Sequence, residues 1–449
     1  MKPSARIQAT IDILEQVAAS ARIPMDGIVG DYMRHRRYIG SKDRTDIAER
    51  TYNLIRTYAR LGWWIEHAGG EDTPRSNVIA FLMLGEGINL EQLRNLFDGT
   101  QYAPAPLSNS EIAFAEKLAG QKLDHPDMPA AVRAECPPHY AAKLQEYFGA
   151  AFEEEMAAMA KHAPLDLRVN TFLIERDKAR ESLIKDGRIT TDPTPFSPYG
   201  LRARGKAHIS RSKAFVKGWI EIQDEGSQLI AHICGAQPGM QVLDYCAGGG
   251  GKTLALAAAM KRKGRIVAMD TDDNRLAKGK DRYKKAQISD IVEVRPLSDE
   301  KQRKWFKRQK DKFDIVLLDV PCTGTGTWRR NPDLRWKEYG PGLEDLMAVQ
   351  AEILEKTYSA VKPGGKLVYA TCSLLADENE KQVEKFLAAH PEFEIIPISV
   401  ILSASEGSQE KKGDSSVAAL LQNDKGFMRL TPHRHNTDGF FAAVLQRRA

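Results

Sequence analysis

The 449-residue chain contains no apolar run long enough to span a bilayer, which excludes a helical membrane protein. It also lacks the GxGxxG fingerprint that a dinucleotide oxidoreductase needs for close approach to a pyrophosphate. Cysteine is sparse. The five, Cys136, Cys234, Cys246, Cys322 and Cys372, are odd in number and scattered, so no disulfide framework is expected; no pair has zinc-site spacing, so no metal is expected either. The opening Met1-Lys2-Pro3-Ser4-Ala5-Arg6 is followed by a mixed pattern rather than the apolar stretch of a secretion signal, and the cytoplasm is the expected compartment. A net charge of +5 permits an acidic partner without requiring one. There is no internal repeat, and a monomer is the default.

What is present falls into segments, and the length suggests two or three domains. From Ala5 to about Asp98, apolar residues recur at helical spacing, as in Ile7, Ile11, Leu14 and Val17, and Ser41 before Asp43 reads as a helix cap. Turn-formers dominate from Gly99 to Leu107, more helix follows, and Pro137-Pro138 breaks the chain again. Alternation around Leu165 to Phe172, with a turn at Ser197-Pro198-Tyr199-Gly200, marks a small α/β module. From about Gly218 onward, short apolar runs alternate with helical patterns: Val242–Tyr245, Arg265–Asp270, Ile291–Val294, Asp314–Asp319, Lys366–Ala370, Phe393–Ile396 and Phe440–Leu445. That alternation predicts a doubly wound, Rossmann-like α/β sheet. The expected domains are 1–130, 131–216 and 217–449. The polar stretch Ser403 to Ser416 is expected to be an exposed loop. Basic runs at Lys261–Lys263, Lys280–Lys285 and Lys301–Lys310 read equally well as solvated helix faces and as RNA contacts.

Two elements carry chemistry. The loop Cys246-Ala247-Gly248-Gly249-Gly250-Gly251-Lys252-Thr253 follows a strand, where consecutive glycines let backbone approach a ligand. Its Gly-Lys-Thr ending copies a phosphate-binding P-loop, but Cys246 stands where that motif needs glycine. Asp270 closes the next strand at the separation at which an acid accepts ribose hydroxyls; Asp272 and Asp273 offer the rival reading of a helix-capping cluster. Cys322 and Cys372 each follow a strand end, whereas Cys136 and Cys234 read as packing residues. Thiolates are the side chains that add most readily to carbon 6 of a pyrimidine, which activates carbon 5; a second group must then help release the product. Two thiols fit two tasks.

In order along the chain stand Leu167-Arg168-Val169-Asn170-Thr171, Gln223-Asp224-Glu225-Gly226, the Gly loop, Asp319-Val320-Pro321-Cys322-Thr323-Gly324-Thr325-Gly326, and Arg329-Arg330-Asn331-Pro332-Asp333. They continue with Lys362-Pro363-Gly364-Gly365, Thr371-Cys372-Ser373, Glu378-Asn379-Glu380 and Thr437-Asp438-Gly439-Phe440-Phe441. In this order they resemble the Sun/Nop-type RNA cytosine-5 methyltransferases, closest to the RsmB branch. The helical start, with Asp43-Arg44 and Tyr52-Asn53-Leu54-Ile55-Arg56, resembles a NusB-like RNA-binding domain. The resemblance implies S-adenosylmethionine as cofactor, with Cys246 to Lys252 beside its methionine part, Asp270 on the ribose and Arg275 in support. It implies Cys372 as nucleophile, Cys322 in product release, and Asp319 and Lys252 beside the base. Related DNA enzymes attack with the Pro-Cys thiol, so exchanged roles stay open. Two departures stand out: Gly248-Gly249 replaces Ala-Pro, and the acid beside adenine is matched only by a displaced Asp299. Ribosomal RNA is the favoured substrate; transfer RNA, an inert NusB-like assembly factor, and DNA or protein methylation are the alternatives.

Overall fold

The computed structural model describes residues 1–20, 22–205, 207–400, 423 and 425–449, so the stretch Ser403 to Ser416 lies outside the described residues. The chain folds as two compact units, one of Met1–His162 with Thr327–Pro341 and one of Ala163–Gly326 with Gly342–Ala449. No helix among the described residues is long and apolar enough to cross a membrane.

The first unit is all-helical, as its periodicity predicts. Ile7, Ile11, Leu14 and Val17 of the helix Pro3–Ala19 are buried on one face. Capping boxes, Asn89 with Gln92 and Ser108 with Glu111, start two later helices. The helix at 41 begins differently from expectation: Gly40 is its cap, and Ser41 is already helical. Its Asp43 instead pairs with the chain's amino group at 2.8 Å.

By contact this unit runs on to His162, and the Pro137-Pro138 break opens a helix within it. Pro138 is the first residue of Pro138–Phe148, a position where a missing N–H costs nothing. Residues 327–341 also belong here. Trp328 is wholly buried, Trp336 Nε1 donates to the Ile55 carbonyl at 2.9 Å, and Asp333 accepts from the Met25 N–H at 2.9 Å.

The second unit holds two sheets. Strands β1 (Asp166–Val169), β2 (Thr191–Pro193), β3 (Gly200–Ala203) and β4 (Ile220–Ile222) form an antiparallel sheet in the order β2-β3-β1-β4. Leu167, Val169, Leu201 and Ile220 pack with Ala179 and Leu183 of the helix Arg176–Gly187 to make its core.

The larger sheet comprises β5 (Gln241–Asp244), β6 (Arg265–Asp270), β7 (Val292–Pro296), β8 (Phe313–Asp319), β9 (Val361–Thr371), β10 (Phe393–Ile395), β11 (Met428–Leu430) and β12 (Phe440–Arg447). Its order is β10-β12-β9-β8-β5-β6-β7, with β11 on β12. Strands β5 to β9 run parallel, and the last strands join antiparallel. Alternate residues enter opposite cores: Val242, Ile315 and Leu317 on one face, Leu243, Val316 and Leu318 on the other. Burial on both faces explains why these strands read as continuous apolar runs. From β5 the chain winds outward through β6 and β7, then returns to the other side of β5 through β8 and β9. The reversal opens a crevice beyond the carboxyl ends of β5 and β8.

Candidate active site

Register brings the thiols together. Asp319 of β8 lies opposite Ala370 of β9, so Cys322 and Cys372 leave the two strands nearly level. Their sulfurs are 3.4 Å apart. The hydrogen bond to Cys372, added to burial and the nearby Glu378 carboxylate, pushes the Cys322 thiol well above its ordinary value. By contrast, burial, joined at Cys234 by the Asp244 charge, raises Cys136 and Cys234 to about 12, which leaves them as packing thiols.

A network of buried side chains fixes both thiol loops. Glu378 accepts the Thr323 N–H at 2.9 Å and the Thr323 hydroxyl at 2.5 Å. Asn379 accepts the Thr371 hydroxyl at 2.5 Å and donates to the Ser373 carbonyl at 2.9 Å. Gly326 donates its N–H to the Cys372 carbonyl at 2.9 Å and accepts from Gly439 at 2.8 Å. A Cβ on Gly326 would stand 2.2 Å from the Gly439 carbonyl oxygen, so this crossing of backbones requires glycine.

Next to the thiols, Lys252 Nζ donates to Asp319 Oδ2 at 2.6 Å. Burial works against the lysine charge, but the Asp319 carboxylate outweighs it and holds the Lys252 pKa above its ordinary value. A cavity of about 130 Å³ adjoins this pair, lined by Gln223, Ser227, Asp244, Cys246, Ala247, Gly249, Gly251, Lys252, Arg275 and Asp319. Its walls include most of the glycine loop. Gly248 and Gly250 take φ of +53° and +79°, conformations that side chains with a Cβ disfavour. Burial pushes the Cys246 thiol well up and raises Asp244 to about 7. Asp244 Oδ2 accepts the Thr253 hydroxyl at 2.7 Å, while Oδ1 is buried without a partner. Among the described residues, no cluster of His, Cys, Asp and Glu is suited to a metal ion.

The predicted residues divide by position. Cys246, Ala247, Gly249, Gly251, Lys252, Arg275 and Asp319 meet at the cavity, and the Arg275 guanidinium lies against Gly248. Asp270 is not among the cavity-lining residues; it holds the glycine loop, its carboxylate accepting from Gly248 at 2.7 Å and from Asp272 at 2.9 Å. Asp272 caps the following helix. Asp299 does the same for the helix Glu300–Phe306, accepting the Lys301 N–H at 2.7 Å, and is not among the cavity-lining residues. The small sheet supports the cavity. Arg168, wholly buried, donates to Gln223 at 2.6 Å, and Gln223 donates to Ser227 at 3.0 Å. Two members of the basic run 280–285 are committed internally, Arg282 and Lys285 both pairing with Glu221.

The family model for 16S rRNA methyltransferase RsmB/F matches residues 231–446, and the RsmF/B-like ferredoxin-like domain matches 136–210. The probable ribosomal RNA small subunit methyltransferase B of Synechocystis sp. is 30% identical over 427 residues, covering 90% of this chain and 91% of its own. The chain belongs to the RsmB/F methyltransferase family. Solved structures agree with RsmB/F membership in fold. The crystal structure of PH0851 covers 100% of this chain and 99% of its own, with 26% identity and a TM-score of 0.75. A methyltransferase homolog protein from Pyrococcus horikoshii covers 71% of this chain and 97% of its own, with 28% identity and a TM-score of 0.56.

In this RsmB/F chain, sequence reasoning assigned no role to Asp244, Gln223 or Ser227. Asp244 stands in the quoted strand and Gln223 in a quoted motif, but their direction into one cavity depends on the pairing of separate sheets.

Proposed function

We propose that the protein methylates carbon 5 of a cytosine in RNA, with small-subunit ribosomal RNA as substrate and S-adenosylmethionine as donor, through a covalent adduct on Cys372. The observation that carries this reading is the 3.4 Å approach of Cys322 and Cys372 beside the Lys252–Asp319 pair. The match to the 16S rRNA methyltransferase family and the likeness to the Synechocystis ribosomal RNA methyltransferase support ribosomal RNA.

The residues present fit the cofactor. Asp244 Oδ1 is a buried acceptor without a partner, and Asp319 supplies a second carboxylate at the cavity, a set suited to a ligand bearing ammonium and sulfonium charges. Residues 246–252 would lie beside its methionine part and Asp270 would accept its ribose hydroxyls, with Arg275 in support. When bound, S-adenosylmethionine supplies an electrophilic methyl group to the activated carbon.

The thiol pair shares one negative charge in sequence. Cys322, held protonated, is placed to donate to the Cys372 sulfur, which acts as the thiolate nucleophile. That thiolate adds to carbon 6, forming the S–C6 bond and moving the C5=C6 electron pair onto carbon 5. Asp319 and Lys252 hold the amino group and ring nitrogen of the cytosine. Once the Cys372 sulfur is tied as a thioether, its charge no longer raises Cys322; Cys322 gives its proton up to solvent and, as thiolate, takes the proton from methylated carbon 5, returning to the thiol. The C5=C6 bond reforms and Cys372 leaves as thiolate. The base must be unstacked to reach these groups, as in a single strand, a loop or a flipped nucleotide. Bisulfite sequencing of small-subunit ribosomal RNA from cells with and without the protein tests the reading. One cytosine is expected to lose its mark, and an unchanged methylation pattern would reject it.

A further inference from the structure

Residues 378 and 379 are consecutive in the turn before the helix Glu380–Ala389, yet their side chains serve different thiols. The Glu378 carboxylate accepts from the Thr323 N–H, from the Thr323 hydroxyl and, at 2.9 Å, from Gln350 Nε2. Gln350 Nε2 also reaches the Pro321 carbonyl at 3.0 Å, so residues on both sides of Cys322 are tied to one buried assembly. Asn379 does the same for Cys372. It grips Thr371 through Oδ1 and Ser373 through Nδ2, one residue to either side of the sulfur. Glu378 and Asn379 are wholly inaccessible to solvent, and neither touches the cavity.

Two sulfurs held in hydrogen-bond contact need both backbones fixed, since displacement by about 1 Å removes the productive geometry. Two adjacent anchors in one turn fix them relative to each other. Glu378 adds a further effect, because its charge lies beside a thiol that must stay protonated until Cys372 has bonded to the base.

We propose that Glu378 and Asn379 are positioning residues with divided tasks, Asn379 setting Cys372 for attack and Glu378 setting Cys322 for release. This rests on the covalent chemistry proposed above. The division distinguishes it from a merely structural role, in which loss of either residue would impair both steps alike.

Two measurements on the full-length protein separate these possibilities. The first needs no RNA: iodoacetamide alkylation of Cys322 is followed by mass spectrometry against pH. Glu378→Gln keeps shape but removes the charge, and is expected to speed Cys322 alkylation about tenfold near pH 7.5. Asn379→Ala should leave the Cys322 profile in place. The second uses a small-subunit ribosomal RNA transcript with S-adenosylmethionine. Asn379→Ala should slow formation of the protein–RNA adduct about 100-fold, whereas Glu378→Ala, which removes the anchor on Thr323 and Gln350, should form it normally and release it slowly. Thr323→Val, which removes one donor to Glu378 from the opposite side, should reproduce slow release, and Asn379→Asp, which keeps Oδ1, should recover part of the attack rate. An unmoved Cys322 profile in Glu378→Gln, or equal loss of both steps in both variants, overturns the division. Absence of any adduct in the wild type and in Cys322→Ala would instead reject the covalent reading, with the alkylation arm still deciding the role of Glu378.

Discussion

The loop after β5 and the loops after β8 and β9 solve the same problem in different ways. Each must present chemistry beyond a strand end. The first does so with backbone: glycines at positive φ bring main chain to the cavity, and Asp270 holds Gly248 from the next strand. The thiol loops do so with buried side chains, Glu378 and Asn379, which lie six or more residues beyond Cys372. A backbone solution concentrates its signature in one motif. A side-chain solution disperses it, and the contrast decides which substitutions do most damage.

The largest effect should come from the thiols themselves. Cys372→Ala is expected to lower methyl transfer by at least about 1,000-fold in a tritiated-methyl assay, since the other thiol at the site, Cys322, is held protonated. Full activity would reject the nucleophile. Next is a place where a thiol loop depends on close backbone approach. Gly326→Ala puts a Cβ 2.2 Å from the Gly439 oxygen and should cost about 1–3 kcal/mol in chemical denaturation.

The cofactor side is sharpened by Asp244. Its pKa of about 7 lies above the ordinary 3.8, so the folded state holds the proton more tightly than the unfolded state. The associated stability is complete below about pH 4 and is lost as pH rises through about 7. Asp244→Asn should remove that pH dependence and, without cofactor, stabilise the protein at pH 8 by on the order of 2–4 kcal/mol. The same change should weaken S-adenosylmethionine binding. A wild-type melting temperature that is flat from pH 4 to 7 would contradict this account. The smallest effect belongs to Asp299. As a helix cap it should cost about 1 kcal/mol on change to alanine, with cofactor affinity retained; lost affinity would restore it to the adenine site.

Much of this was legible in sequence, for physical reasons. Strands buried on both faces gave apolar runs, and β5, β6, β8 and β12 fall within a residue or two of the runs at 242, 265, 314 and 440. The motif residues Cys246, Lys252, Asp319, Cys322 and Cys372 converge as strand-end placement in a doubly wound sheet implies. Strand β11, three residues long, was not expected, because so short a segment has no measurable period. Nor was the place of residues 327–341 in the helical unit, which rests on single contacts such as Trp336 to Ile55 across 281 positions. Asp299 shows a further limit. An acid at a suitable spacing caps a helix as readily as it binds adenine, and only geometry distinguishes the two.

The central claim is tested most directly by incubating Cys322→Ala with small-subunit ribosomal RNA and S-adenosylmethionine, digesting under denaturing conditions, and sequencing the cross-linked peptide by mass spectrometry. A cytosine attached through Cys372 is the predicted product. Attachment through any other residue, or RNA released free of protein at the wild-type rate, would contradict it.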